Sequence, residues 1–101
     1  GISHLVESLK INQTLKTLDL YHNIVGPNGG CQLAEMLTIN SSIETLLLNN
    51  NRLDQSTCKT IVHASNRHEN MRHLTLYHPF MSATDREDLR SLDCRGVLEI
   101  Q

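Results

Sequence analysis

Apolar and polar positions recur along the chain with a period of 28 residues. Residues 15–42 and residues 43–70 align without a gap, and a third copy begins at Met71. The first, fourth and sixth positions of the copies are apolar: Leu15, Leu18, Leu20, Ile43, Leu46, Leu48, Met71, Leu74 and Leu76. Because the fourth and sixth positions alternate with polar ones, each copy predicts a short strand with one buried face.

The second half of each copy has helical spacing instead. In the first complete copy the apolar stripe consists of Leu33, Ala34, Met36 and Leu37. One period upstream of Leu33 and Leu37 lie Leu5 and Leu9, so the first 14 residues are predicted to be the helical half of an earlier copy. A strand and a helix of this size leave an apolar face open, and stacking of neighbouring copies is needed to bury it.

The pattern L-x-x-L-x-L-x-x-N-x-L with a helical second half resembles the leucine-rich repeat family. The 28-residue length resembles its ribonuclease-inhibitor-like subtype. The resemblance implies an α/β leucine-rich repeat solenoid, a horseshoe segment with parallel strands on the concave side and helices on the convex side. It also implies that the ninth-position residues Asn23 and Asn51 form a ladder of hydrogen bonds to the main chain. Pro79 departs from this pattern, so the ladder is expected to end there.

A single domain is expected, with a partial repeat at 1–14, repeats at 15–42, 43–70 and 71–96, and a terminal strand at 97–101. Gly96 is predicted to stop the last helix. Leu98 and Ile100 stand where a fourth copy would place its paired leucines. Because the helical pattern begins almost at Gly1, without an evident cap, we expect this sequence to be part of a longer protein; a processed or engineered start is the alternative.

The starts of the helices carry capping residues. Pro27 suits a turn or a first helical turn, and Asp54 or Ser56 is expected to cap the next helix. Thr84 and Glu87 have the spacing of a capping box for the last one.

Composition and charge limit the type of core, the class of partner and the compartment. Hydrophobic residues make up 39% of the chain and aromatic residues only 3%, so the core must be aliphatic. The net charge of −2 and the absence of a basic stripe argue against nucleic acid, and no apolar run is long enough to span a membrane. Three cysteines without C-x-x-C spacing, and no secretory leader, favour free thiols in a reducing, cytoplasmic setting.

The outward side chains of the strands are the candidate partner-binding residues. They occupy the third, fifth, seventh and eighth positions: Thr17, Asp19, Tyr21, His22, Thr45, Leu47, Asn49, Asn50, His73, Thr75, Tyr77 and His78. Both tyrosines fall in one column, and tyrosine is favoured in binding surfaces. Leu47 is predicted to be an exposed apolar residue at the centre. The alternative is that these are ordinary solvated strand residues.

Metal and catalytic chemistry are not indicated. His22 and His78 share a position two repeats apart, roughly 10 Å, which is too far to share one zinc ion. No metal-binding spacing includes His73, no cofactor motif is found, and no nucleophile motif is present, so the protein is not expected to be an enzyme. Cys58 near a helix start could have a lowered pKa, but a small residue at the helix–sheet junction is the favoured interpretation.

Two sequons, at Asn12 and Asn40, stand 28 residues apart. A repeated helix-ending turn, in which asparagine takes left-handed geometry, explains them better than glycosylation does.

Together these features predict a protein–protein interaction module that binds another protein through the concave strand face. The resemblance implies the C-terminal part of a larger leucine-rich repeat receptor, regulator or scaffold. Two alternatives stay open. One is a regulator of a GTPase in the manner of the Ran GTPase-activating protein, for which Arg52 in a loop is too little support. The other is a purely structural solenoid cap. The oligomeric state is left open.

Overall fold

The computed structural model describes residues 2–20, 25–49, 51–77 and 81–100. Helices and strands alternate along the chain: α1 (Ile2–Ile11), β1 (Thr17–Asp19), α2 (Gly26–Leu37), β2 (Thr45–Leu47), α3 (Gln55–Asn66), β3 (His73–Thr75), α4 (Ala83–Leu92) and β4 (Leu98–Glu99). The alternation predicted from the spacing of apolar residues is confirmed.

The strands form one parallel sheet in the order β1-β2-β3-β4. Leu18 pairs with Leu46, Leu46 with Leu74, and Leu74 with Leu98, so the fourth-position leucines stand in one row across the sheet. The expected place of Leu98 in a short last strand is therefore confirmed. Each strand is only two or three residues long, so most of the buried apolar side chains lie in the helices and in the residues that flank the strands.

The core lies between the sheet and a layer of helices. Leu46 and Leu74 are fully buried, and so are the helix residues Leu33, Ile61 and Leu89, which share one repeat position. The helices pack in chain order, α1 on α2, α2 on α3 and α3 on α4. Apolar burial contributes roughly 1.5–3 kcal/mol per large aliphatic side chain, which makes this interlayer core the main source of stability.

The helix caps agree in part with expectation. Pro27 lies in the first turn of α2, and Asp54 caps α3 by accepting from the N–H of Thr57 at 2.8 Å. The capping box of α4 joins Ser82 and Asp85, so the box expected from Thr84 to Glu87 is wrong. The cap lies two residues earlier than expected, and Ser82 has the extended backbone that an N-cap requires.

The turn after α4 is organised by a carboxylate. Helix α4 ends at Leu92, and Gly96 lies four residues later with φ +71°, so the expectation that Gly96 stops the helix is wrong. Asp93 instead accepts from the N–H groups of Arg95 (3.2 Å), Gly96 (3.1 Å) and Leu98 (2.9 Å). The Asp93 carboxylate thus stabilises the turn that connects α4 to β4.

Asn51 has the main-chain role that the resemblance implies. It is fully buried, and its amide nitrogen donates to the carbonyls of Leu20 at 2.6 Å and Leu48 at 3.0 Å. It therefore ties the turn of one layer to that of the layer before. Asn23 and Pro79 lie outside the described residues.

A second asparagine, Asn40, makes a similar tie at the opposite end of the strands. Its nitrogen donates to the carbonyls of Leu9 and Asn12, both at 2.7 Å. Its oxygen accepts from the N–H groups of Ser42 at 2.9 Å and Ile43 at 3.0 Å. Asn40 is 2% exposed, so it is not available for glycosylation in the folded chain.

The left-handed geometry expected at Asn12 and Asn40 is wrong. Among the described residues other than glycine, only Arg52 has a positive φ, 55°. Asn12 serves as an acceptor, at 2.9 Å from the N–H groups of both Thr14 and Leu15. A side chain that closes a turn by hydrogen bonding removes the need for an unusual backbone.

His68 and Arg95 continue this row of residues in the later layers. His68 follows Asn40 by 28 residues, and Arg95 follows His68 by 27. The guanidinium of Arg95 donates to the carbonyl of His68 and, at 3.0 Å, to that of Glu69. As with Asn40, a side chain of one layer holds the backbone of the layer before.

Candidate protein-binding face

The side of the sheet that faces away from the helices forms the candidate site, called here the strand face. Its residues alternate with the buried leucines, because successive side chains of a strand point to opposite sides. Among the described candidates, Thr17, Asp19 and His73 are exposed, whereas Thr45, Leu47, Thr75 and Tyr77 are half-buried. The register of β1, β2 and β3 places the third- and fifth-position residues in adjacent columns.

Two predicted site residues differ from expectation. Leu47 is half-buried rather than exposed, because it stands in the middle strand between Asp19 and Thr75. Asn49 is buried, with 5% of its surface exposed, so its place on an open face is wrong. Strand β2 ends at Leu47, and the chain turns inward beyond it, where the carbonyl of Asn49 accepts from Asn51 at 3.3 Å. The alternation that predicts outward side chains no longer applies in such a turn.

Four predicted site residues, Tyr21, His22, Asn50 and His78, lie outside the described residues. The predicted column of tyrosines and the histidine spacing therefore remain predictions. The strand face described here consists of seven residues from β1, β2, β3 and the residues just after β3.

Two charged residues that the sequence reasoning missed adjoin the strand face. The Oε1 atom of Glu99 lies 3.2 Å from Nδ1 of His73. The guanidinium carbon of Arg86, on α4, lies 5.9 Å from the ring centroid of Tyr77, within the range of a cation–π contact. Glu99 could have been found from the sequence, since it follows Leu98, whose register was predicted. The position of Arg86 beside the strand face could not have been found from the sequence, because no spacing relates it to the strand residues.

A row of alternating charges runs across the beginnings of the strands. Nζ of Lys16 lies 3.1 Å from one carboxylate oxygen of Glu44, and Nε of Arg72 lies 3.4 Å from the other. These three residues occupy the second position of successive repeats, so the ion pairs join three layers. The side chains of Lys16 and Arg72 are 66% and 76% exposed, and such pairs add little stability, about 0–1 kcal/mol each.

The described residues include no metal-ligand cluster, and Cys58 is not an activated thiol. Over the described ranges, no group of three or more histidine, cysteine, aspartate or glutamate residues is placed to hold a metal ion. Burial raises the pKa of the Cys58 thiol to about 12, and Asp54 and Asp85 add to the effect, so the lowered pKa considered for Cys58 is wrong. None of the described helices has the length and apolar character that crossing a bilayer requires.

The helix side carries a groove. An open groove of about 480 Å³ runs between α2 and α3. Small residues, Cys31, Ala34, Thr60 and Ala64, line it, and Glu35, His63 and Arg67 stand at its rim. Nothing in the structure indicates what would fill this groove.

Comparison with known proteins adds one finding. Neither protein-family models nor curated proteins gave a match. Among solved structures, the chain superimposes on leiomodin-1 actin-binding site 2. The TM-score is 0.87 at 17% sequence identity, and the match covers 99% of this chain. It covers 61% of the leiomodin-1 chain, so this chain spans about three-fifths of the length of that structure. At this identity the likeness shows a shared fold, that of a four-stranded parallel sheet covered by helices.

Proposed function

We propose that this chain is a protein-binding module, without catalytic activity, that contacts its partner through the strand face. The observation that carries the proposal is the in-register presentation of six side chains on three adjacent strands, with Tyr77 just after β3. The buried leucines and helices hold these strands in place, so the face is preorganised, which lowers the entropic cost of binding.

The proposal also includes the type of repeat architecture and the longer protein to which the chain belongs. The repeat pattern supports a segment of a ribonuclease-inhibitor-like leucine-rich repeat solenoid with the strand face on its concave side. We propose that the segment works in the cytoplasm as the C-terminal part of a larger receptor, regulator or scaffold. Free cysteines, two of them exposed, fit a reducing compartment.

Actin is the first partner to test, because the name of the structural neighbour describes an actin-binding site. The experiment is co-sedimentation of the chain with actin filaments, and binding to monomeric actin followed by a fluorescent label. The strand-face variant carries Thr17→Arg and Leu47→Arg, which place two bulky cations where the face is exposed or half-buried.

The matched control is Thr60→Arg, an equally large change at an exposed residue of α3 on the helix side. We expect the strand-face variant to bind at least about tenfold more weakly, a loss near 1.4 kcal/mol, and the control to bind normally. Equal binding by all three proteins, with unchanged melting temperatures, would refute the strand face as the site. If the chain binds neither filamentous nor monomeric actin, actin is excluded as the partner, and the strand face stays the proposed site for another protein.

A second candidate function is that of a closing unit for a longer stack, and the turn after α4 favours it. Besides the contacts of Asp93 and Arg95, Asn66 donates to the carbonyl of Leu92 at 2.8 Å and accepts from the N–H of Cys94 at 3.2 Å. Under this proposal Arg95→Ala lowers the melting temperature and leaves partner binding by the strand face unchanged. A melting temperature equal to that of the wild type would argue against it.

A further inference from the structure

One row of residues crosses all four strands on the strand-face side of the sheet. The pairing register places Asp19 beside Leu47, Leu47 beside Thr75, and Thr75 beside Glu99. These four residues are called here the cross-strand row. Asp19 and Glu99 at its ends are exposed, and Leu47 and Thr75 between them are half-buried. The row therefore has a carboxylate on each side of an apolar and a hydroxyl-bearing residue.

The spacing of the row is asymmetric about its apolar residue. Neighbouring strands lie about 4.8 Å apart, so Asp19 is one strand from Leu47, whereas Glu99 is two strands away, at roughly 10 Å. The Oε1 atom of Glu99 lies 3.2 Å from Nδ1 of the exposed His73, so its carboxylate is on the same side of the sheet. A partner that matches the row needs its apolar side chain nearer to one cation than to the other.

An α-helix that lies across the strands has this spacing. Successive turns of a helix are about 5.4 Å apart, so one turn lies over each strand, and the mismatch over four strands is only about 2 Å. Residues i, i+4, i+7 and i+11 then form one stripe of the helix. An extended chain fits less well, because its same-side residues are about 6.6 Å apart and drift by roughly 5 Å over the row.

The basic side chains around the row have contacts of their own. Lys16 and Arg72 lie three residues before the row, about 10 Å along the strands, and both form ion pairs with Glu44. Arg86 lies over the ring of Tyr77, just after β3. These cations therefore do not take the place that a partner's cation would have beside the row.

Charge complementarity sets what the ends of the partner's stripe carry. An ammonium or guanidinium group is attracted to a carboxylate and can donate hydrogen bonds to it. A carboxylate has two oxygens and about four acceptor positions, so a partner's cation can add to the contacts that Asp19 and Glu99 already make. Leu47, half-buried between them, offers an apolar surface to an apolar side chain.

We propose that the strand face binds an amphipathic helix of a partner protein that lies across the strands, one turn over each strand. Its stripe carries a basic residue over Asp19, an apolar residue over Leu47, a small polar residue over Thr75 and a second basic residue over Glu99. These occupy positions i, i+4, i+7 and i+11 of the partner helix. The inference rests on the proposed function of the strand face and adds the class of partner to it.

The probe is a pair of synthetic peptides of about 20 residues, long enough to form a helix in an alanine- and glutamine-rich background. One peptide has lysine, leucine, serine and lysine at i, i+4, i+7 and i+11, and the other has glutamate in place of both lysines. In calorimetry with the intact chain, we expect the lysine peptide to bind about three- to tenfold more tightly, the range for two exposed ion pairs. Added salt should reduce this preference.

Charge reversal in the chain is the sharper test. Asp19→Lys combined with Glu99→Lys should reverse the preference, so that the glutamate peptide binds more tightly. Should that variant not fold, Asp19→Asn combined with Glu99→Gln should abolish the preference. The matched control is Glu87→Lys combined with Asp88→Lys, an equal change of net charge at exposed positions of α4, which should keep the wild-type preference.

Three results would overturn the proposal: no peptide binding at millimolar concentration, equal binding of the two peptides, or the same reversal in the α4 control. The fate of the strand face itself is read separately, from a bound protein such as actin. Loss of its binding with Thr17→Arg and Leu47→Arg, but not with Asp19→Lys and Glu99→Lys, would keep the strand face and exclude the basic helix. Binding unaffected by either pair of changes would exclude both.

Discussion

Gly30 of α2 faces Thr57 of α3 so closely that a β-carbon at Gly30 would lie 2.3 Å from the Cγ2 methyl of Thr57 and 3.0 Å from Leu53. The two helices can approach at this point only because one of them has no side chain. Thr57 is buried and β-branched, so it has little freedom to move away.

Gly30→Ala is expected to destabilise the fold by about 1–3 kcal/mol, the usual cost of overpacking, as measured by urea unfolding. Thr57→Ser removes the clashing methyl group and should restore part of the stability when it is combined with Gly30→Ala. The two changes should therefore be non-additive in a double-mutant cycle. Additive effects would show that the contact does not limit the approach of the helices.

The two asparagines of the sequons differ in their hydrogen bonds: the Asn40 side chain both donates and accepts, whereas the Asn12 side chain accepts. Asn40→Asp keeps an oxygen for Ser42 and Ile43 but loses the donor to Leu9 and Asn12, so we expect a loss of about 1–3 kcal/mol or more. The equivalent change at Asn12 keeps the oxygen that accepts from Thr14 and Leu15, so it should have little effect. Equal unfolding free energies for the two variants would contradict the assigned roles.

His68 should make stability depend on pH. Burial lowers its pKa below the ordinary 6.5, and nearby Arg95 adds to this, whereas the backbone of Asn40 and the carboxylate of Glu69 oppose it. The unfolded chain then takes up the proton more readily. The stabilisation is therefore complete above pH 6.5 and is lost as the pH falls from there towards the folded-state pKa.

His68→Asn substitutes the residue found at the two equivalent earlier positions and should reduce this loss, measured as urea unfolding at about pH 7.5 and about pH 5, on either side of the ordinary histidine pKa. His63→Asn, at an exposed position, is the matched control and should retain the wild-type dependence. Parallel pH profiles for wild type and His68→Asn would exclude His68 as the cause.

The cysteines should differ in reactivity. Cys31 and Cys94 are exposed, whereas Cys58 is fully buried with a pKa of about 12. Native protein should therefore react with iodoacetamide at two thiols, and Cys58 should react only as fast as the fold opens. Mass spectrometry of the alkylated peptides distinguishes the sites. Prompt labelling of Cys58 in native protein would contradict its burial.

The fold could be predicted because its main determinant is local and repeated. Leucines at a fixed spacing specify strand, helix and register together, as Leu18, Leu46 and Leu74 show. The role of Asn51 could be predicted because its position belongs to the repeat pattern of the family that the sequence resembles. The role of Asn40 could not, because its partners, Leu9 and Asn12, lie a full repeat away, and only stacking brings them within 2.7 Å.

The site was predicted less completely, for a physical reason. Alternation identifies outward side chains only while the backbone stays extended, and β2 ends two residues before Asn49. The partners of strand residues also come from other elements. Arg86 contacts Tyr77 from helix α4, and no spacing in the sequence predicts that contact.

The ties made by Asn40, Asn51 and Arg95 all point backwards, from one layer to the backbone of the layer before. A partial insertion between tied layers would carry a side chain away from the carbonyl it holds, so these ties favour changes of length by whole repeats. The 28-residue steps from Leu18 to Leu46 and from Leu46 to Leu74 fit that constraint, and the shorter 24-residue step, from Leu74 to Leu98, falls at the last strand.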